Sequence, residues 1–214
     1  MLRALVMALL LVGGTAAGVV ASAGSASSAA RSDSSEALSA QERSALVAGR
    51  LIVRPRTERR GDLRLLGGTS FQVVNLPPDR VFRALQDPNH LWRMLPSARE
   101  SRIARGGPNP VLYVRHALGP VSASYYLRAR YQPQSTTVTF QLAPGMPNDV
   151  RAGWGYLKVR PFQGGRSLLS FGAMIDLGDG LLADAAKPRI HQWLLRIPST
   201  MKRYLERRAR ASRP

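Results

Sequence analysis

The stretch VSASYYLRARY constrains this chain more than any other. Val121, Ala123, Tyr125, Leu127, Ala129 and Tyr131 take every second place, and Ser122, Ser124, Tyr126, Arg128 and Arg130 fill the places between. Successive side chains of a strand point to opposite faces, so this alternation demands a strand with one apolar face. Its neighbours carry the same signal. ARESRIAR, VLYVRHAL, QSTTVTFQL, RAGWGYLKVRP and SLLSFGAMIDL are set apart by GGPNP, GP, APGMPND and FQGGR. Strands separated by tight Gly/Pro turns predict an antiparallel meander. Two earlier strands, RLIVRPR and LRLLGGTSFQVVNL, flank the expected turn TERRGD, and Gly67-Gly68 reads as a bulge.

Three helical signals remain. In SAQERSALVAG, Ser39 and Glu42 have capping-box spacing and Gly49 marks the end. In LPPDRVFRALQDPNHLWRMLP, Pro78 suits a first helical turn and Val81, Phe82 and Leu85 share a face. Pro88 then starts a second short helix, with Leu91, Trp92 and Leu95 as its apolar set and Pro96 as its end. Both pieces are too short to stand alone and must pack on something larger. The last signal is long: Ile190, Trp193, Leu194, Ile197, Met201, Tyr204 and Leu205 form an apolar stripe, with Arg189, Arg196, Lys202, Arg203 and Arg207 mostly off it. Pro198 lies inside that run and should kink or divide the helix.

The order predicts an α+β helix-grip fold. A curved antiparallel sheet of about 6–7 strands holds a long C-terminal helix, and two short helices follow an early strand. A strongly bent sheet around one helix leaves a cavity, with the short helices at its mouth. On VLYVRHAL, His116 shares a face with Leu112, Val114 and Leu118. If that face looks inward, His116 is a polar tip in an apolar pocket, able to orient a ligand or exchange protons. The alternative is a core histidine satisfied by backbone. Tyr125 and Tyr131 either bond a ligand or pack with hydroxyls at the rim. Trp154 and Tyr156 share a face that lines the cavity or covers the outer sheet, and Asp176 reads as solvated.

Catalytic and cofactor motifs are missing. His90, His116 and His191 form no metal-binding pair, no G-x-S-x-G elbow occurs, and neither metal nor cofactor is expected. Gly153-Trp154-Gly155 and Gly178-Asp179-Gly180 read as a bulge and a turn. With no cysteine, disulfides and thiolate metal sites are excluded.

At the N-terminus, Arg3, an apolar core and Ala21-Ser22-Ala23 have the form of a signal peptide over residues 1–23. An uncleaved membrane anchor is the alternative. A Ser/Ala-rich linker, expected to be disordered, follows over 24–38, then one folded domain over 39–210 and a basic end at 211–214. The formal net charge of +18 comes almost wholly from arginine, the lysines being Lys158, Lys187 and Lys202. The segment KRYLERRARASRP reads as a solvated helix end or a contact for anionic membrane lipid. No basic stripe interleaved with aromatics is apparent, so nucleic acid is not an expected partner.

This order, together with VVNLPPDRVFRALQDPNHLWRMLPSARESRIAR over 73–105 and RIHQWLLRIPSTMKRYLERR near the end, resembles the START-like helix-grip superfamily, also called SRPBCC. The likeness spans roughly residues 46–210. It implies a deep apolar cavity. The superfamily includes lipid carriers, coenzyme Q-binding proteins, and polyketide cyclases and aromatases. It supplies no shared catalytic set. The reading is therefore an exported protein, periplasmic or secreted, holding a lipid, quinone or polyketide-like molecule between sheet and C-terminal helix. Candidate ligand-binding residues are Leu112, Val114, His116, Tyr125, Leu127, Tyr131, Phe140, Trp154, Trp193 and Ile197. The alternative is a cyclase- or dehydratase-like enzyme with His116 as acid/base and Tyr125 or Tyr131 as proton donor.

Overall fold

The turn chemistry of the meander is realised as one eight-stranded antiparallel sheet in the computed structural model. Described are residues 37–118, 121–179, 189 and 192–212, without the side chains of 118 and 121. The expected leader, nearly all of the linker, Ile190 and His191 lie outside them. The strands are β1 (Ile52–Arg60), β2 (Leu63–Val74), β3 (Ala98–Arg105), β4 (Val111–Leu118), β5 (Val121–Gln132), β6 (Thr137–Leu142), β7 (Ala152–Phe162) and β8 (Arg166–Asp176). Their spatial order is β1-β2-β8-β7-β6-β5-β4-β3. After β2 the chain crosses to the far edge, then winds back by consecutive antiparallel pairs until β8 lies against β2. Eight strands exceed the expected 6–7, because every extended segment in the sequence became a separate strand.

Three local expectations need correction. The TERRGD turn shrinks to Gly61-Asp62, since β1 runs on to Arg60. Gly67-Gly68 is no bulge: β2 pairs with both β1 and β8 without a shift in register. Gly67 is there for a close approach, as a Cβ would meet the Ala173 carbonyl oxygen at 1.9 Å. Gly153-Trp154-Gly155 also stays in register, and a Cβ on Gly155 would come within 2.6 Å of the Phe140 ring. The register shifts that do occur lie in β3, between Ala98 and Glu100 and between Ile103 and Arg105.

Helix α1 (Ala40–Val47) has the predicted capping box, with Glu42 N–H donating to Ser39 Oγ and Ser39 N–H to Glu42 Oε2. Arg54 also grips Glu42 through two bonds and holds its carboxyl down at about pH 2. Leu46 of α1 packs with Phe71, Val73 and Leu168 on the outer side of the sheet.

The other helices serve the inner side. Helix α2 (Pro78–Leu85) buries Val81, Phe82 and Leu85; each such burial contributes roughly 1.5–3 kcal/mol. A 3₁₀ turn (Pro88–His90) and helix α3 (Leu91–Met94) follow. Met94 is the fully buried residue of α3, while Leu91, Trp92 and Leu95 stay partly exposed. Helix α4 (Ile197–Ala211) has Pro198 in its first turn, which divides it from a helical turn at 192–194. Its buried residues include Ile197, Met201, Tyr204 and Leu205, and Leu195 just before it is fully buried. Lys202 anchors α4 to the end of β2, donating to the Val73 carbonyl at 2.8 Å and to Glu206 at 2.8 Å.

Candidate functional site

Sheet curvature leaves a cavity of about 610 Å³ between the inner face of β4–β8, the short helices and the C-terminal helical segment. Its walls follow the strand alternation. Leu112 and His116 come from β4, and Ala123, Tyr125, Leu127, Ala129 and Tyr131 from β5. Val138 and Phe140 follow from β6, and Phe171 and Ala173 from β8. Gly155 leaves the room against β7 that the Phe140 ring occupies. Leu85, Leu91 and Leu95 close the mouth from the short helices, while Trp193, Leu194 and Ile197 close the helical side.

Nine of the ten sequence candidates line this cavity; Val114 is fully buried but does not reach it. Trp154 lies at its edge. The alternation of β7 sets Trp154 opposite in phase to the inward Leu157, and the Arg60 guanidinium lies 5.9 Å from its ring centroid. Sequence reasoning missed Pro96, Ser97, Gln192 and Thr200. It also missed that Arg189, Arg196 and Arg203, read as off-stripe residues, reach the lining. The i, i+7 spacing of the three arginines was the available signal.

One polar cluster sits in the wall. His116 Nδ1 is 3.0 Å from the Pro96 carbonyl, which can only accept, so Nδ1 carries the proton. The bare Nε2 then accepts from the Tyr125 hydroxyl at 2.7 Å. Trp193 meets His116 edge-on at 4.7 Å. Burial pushes the His116 pKa down to about 4 and the Tyr125 and Tyr131 phenols up. The cluster is neutral at physiological pH. The Tyr125 oxygen, whose hydroxyl donates its hydrogen bond to His116, keeps lone pairs that can accept from a ligand hydroxyl. Both readings of His116 thus meet in one residue: it is backbone-satisfied, and it lines the cavity.

The mouth is built firmly. Ser101 of β3 accepts from the Trp92 amide at 3.0 Å and donates to the Pro88 carbonyl at 2.8 Å. Asp87 caps the 3₁₀ turn through the Asn89 amide and pairs with His90, whose ring stacks 6.2 Å from Tyr204 of α4. Ser97 takes a left-handed conformation at φ 55°. Its carbonyl accepts from the Ala117 amide at 3.0 Å, beside the Pro96–His116 bond.

Other expectations fall differently. Asp176 is buried, not solvated, and accepts from the amides of Arg64 and Gly178. On the outer face Arg102, Tyr113 and Tyr126 pair across β3, β4 and β5, with the guanidinium 4.6 Å from the Tyr113 ring centroid. Among the described residues no group of three His, Asp or Glu side chains could hold a metal, and no helix is long and apolar enough to cross a membrane.

An antiparallel sheet closed on a C-terminal helix around an apolar chamber defines the START-like helix-grip class. Solved structures agree. A protein of Thermus thermophilus is 14% identical, with a TM-score of 0.58 over 69% of this chain and 99% of its own. The Zhui aromatase/cyclase of a Streptomyces species is 17% identical, with a TM-score of 0.58 over 69% of this chain and 98% of its own. A START superfamily protein of Mycobacterium smegmatis is 12% identical, with a TM-score of 0.54 over 66% of this chain and 97% of its own. No curated protein matches the chain by sequence. Residues 68–209, more than half of the chain, match the family of polyketide cyclases/dehydrases and lipid transport proteins, and the chain belongs to that family.

Proposed function

We propose that this protein binds a hydrophobic small molecule, a lipid, quinone or polyketide-like compound, in the cavity between sheet and C-terminal helix. The observation that carries this reading is the chamber itself: about 610 Å³, walled mainly by Leu, Phe, Val and Ala side chains, with a neutral polar cluster in the wall and arginines along the helical edge. Pockets of this size suit a small organic ligand held by apolar contact and oriented by few polar groups. Uptake of an environment-sensitive apolar fluorophore tests it. The expected result is saturable binding of about one probe per chain, competed by fatty or polyaromatic compounds. Absence of uptake would remove the reading.

The enzyme reading has one specific support, the 2.7 Å contact between His116 and Tyr125 inside the chamber. A cyclase-like reaction on a bound polyketide would have neutral His116 take a substrate proton on Nε2 as the base while the Tyr125 hydroxyl turns to give its proton to a substrate oxygen, the imidazolium then returning a proton to the tyrosine. His116→Ala and Tyr125→Phe should then keep probe binding and lose turnover; turnover unchanged in both would end the assignment.

The leader-like N-terminus supports export, and the exposed Arg203, Arg207 and Arg210 of α4 support contact with anionic lipid. Co-sedimentation with phosphatidylserine vesicles but not phosphatidylcholine vesicles is the expected sign of that contact. Equal behaviour toward both would oppose it.

A further inference from the structure

Among the described residues the ionised groups on the cavity lining are all of one sign and all on one side. Arg189, Arg196 and Arg203 line the chamber from the C-terminal helical segment, with Gln192 and Thr200 between them. Among the described residues no Asp or Glu lines it. Arg203 donates to Thr200 Oγ1 at 3.2 Å, and neither Arg189 nor Arg196 has an acidic partner among the described residues. All three are exposed, so they stand in water at the mouth rather than in the apolar depth. Among the described residues the opposite wall offers uncharged groups alone: the hydroxyls of Tyr125, Tyr131 and Ser97, the Trp154 indole, neutral His116, and hydrocarbon.

A solvated arginine needs no carboxylate, so its exposure alone means little. The arrangement means more. Three guanidiniums follow one another at intervals of seven residues along one edge of an apolar chamber. A ligand whose hydrocarbon part fills the depth must bring its remaining end to that edge. Guanidinium offers a planar fork that matches carboxylate and phosphate, and the apolar wall beside it lowers the competition from water.

We infer that the ligand is an amphiphile with an apolar body and one anionic group, a carboxylate or a phosphate, held at the mouth by Arg196 and Arg203 with Arg189 beside them. This deepens the proposed function and rests on the cavity being a ligand site. A neutral quinone or hydrocarbon would leave these charges unused.

The test is calorimetric titration of the folded chain with lauric acid, lauryl phosphate and lauryl alcohol at neutral pH and low salt. The expected result is that at least one anionic ligand binds about tenfold or more tightly than the alcohol, the effect of one charge-assisted hydrogen bond. Preference for the phosphate points to a phospholipid, preference for the acid to a free fatty acid. Added salt should narrow the gap. The double variant Arg196→Gln/Arg203→Gln should lose the preference and keep the alcohol affinity within about twofold. Equal binding of acid, phosphate and alcohol by the unaltered chain would overturn the inference and leave the cavity reading standing. Binding of none of the three would overturn both. The comparison within the unaltered chain decides the matter even if the double variant folds poorly.

Discussion

His116 shows what a single residue can reveal. VLYVRHAL alone shows that it shares a face with Leu112 and Val114, and the folded sheet turns that face inward. Its partners are not readable there. Pro96 lies twenty residues earlier in sequence, on a turn that meets β4 only once the short helices have docked. Burial holds the folded pKa at about 4 against an ordinary 6.5. The unfolded chain therefore takes up the proton first. The stability from neutral His116 is complete above about pH 6.5 and is lost as the pH falls toward 4, up to roughly 3 kcal/mol. Urea midpoints across that range should fall more steeply for the unaltered protein than for His116→Gln, and equal slopes would contradict the account. Tyr125→Phe should cost about 1–2 kcal/mol by leaving Nε2 without its donor, measured as a lowered midpoint at pH 7. Trp154 marks the limit of residue-level reading: alternation pairs it with Tyr156, but only the folded sheet says which way that face looks.

At the scale of elements, most of the architecture was readable. Periodicity located each strand segment, and prolines bracketed the short helices. Two glycine pairs were misread, because a close backbone approach depends on the strand that arrives later in the chain. Gly155→Ala is the sharpest check. A Cβ there meets the Gly172 carbonyl at 2.3 Å as well as the Phe140 ring, so backbone must move. The variant should lose about 3 kcal/mol or fail to fold; a melting temperature within a degree or two of the original would refute the packing. The mouth can be probed separately. Ser101→Ala removes the bond from Trp92 of α3 and the bond to Pro88 of the 3₁₀ turn, and amide exchange should speed up at residues 89–94 while the sheet stays protected. Unchanged exchange there would mean that Ser101 does not hold the mouth.

For the molecule as a whole, sequence pattern and family likeness carried the fold and the presence of a cavity. They did not carry the arginine edge, which needs the helical segment docked over the sheet before three spaced residues share one opening. The lack of any carboxylate on the described lining was equally invisible, since it depends on which loops turn inward. The central claim is that the chamber exists to be filled. Native mass spectrometry of the folded protein, prepared without detergent, tests it most directly. The account predicts a mass above that of the bare chain, removed by organic solvent and traced to an apolar molecule with one anionic group. A bare-chain mass, joined to a failure to take up added amphiphile, would contradict it.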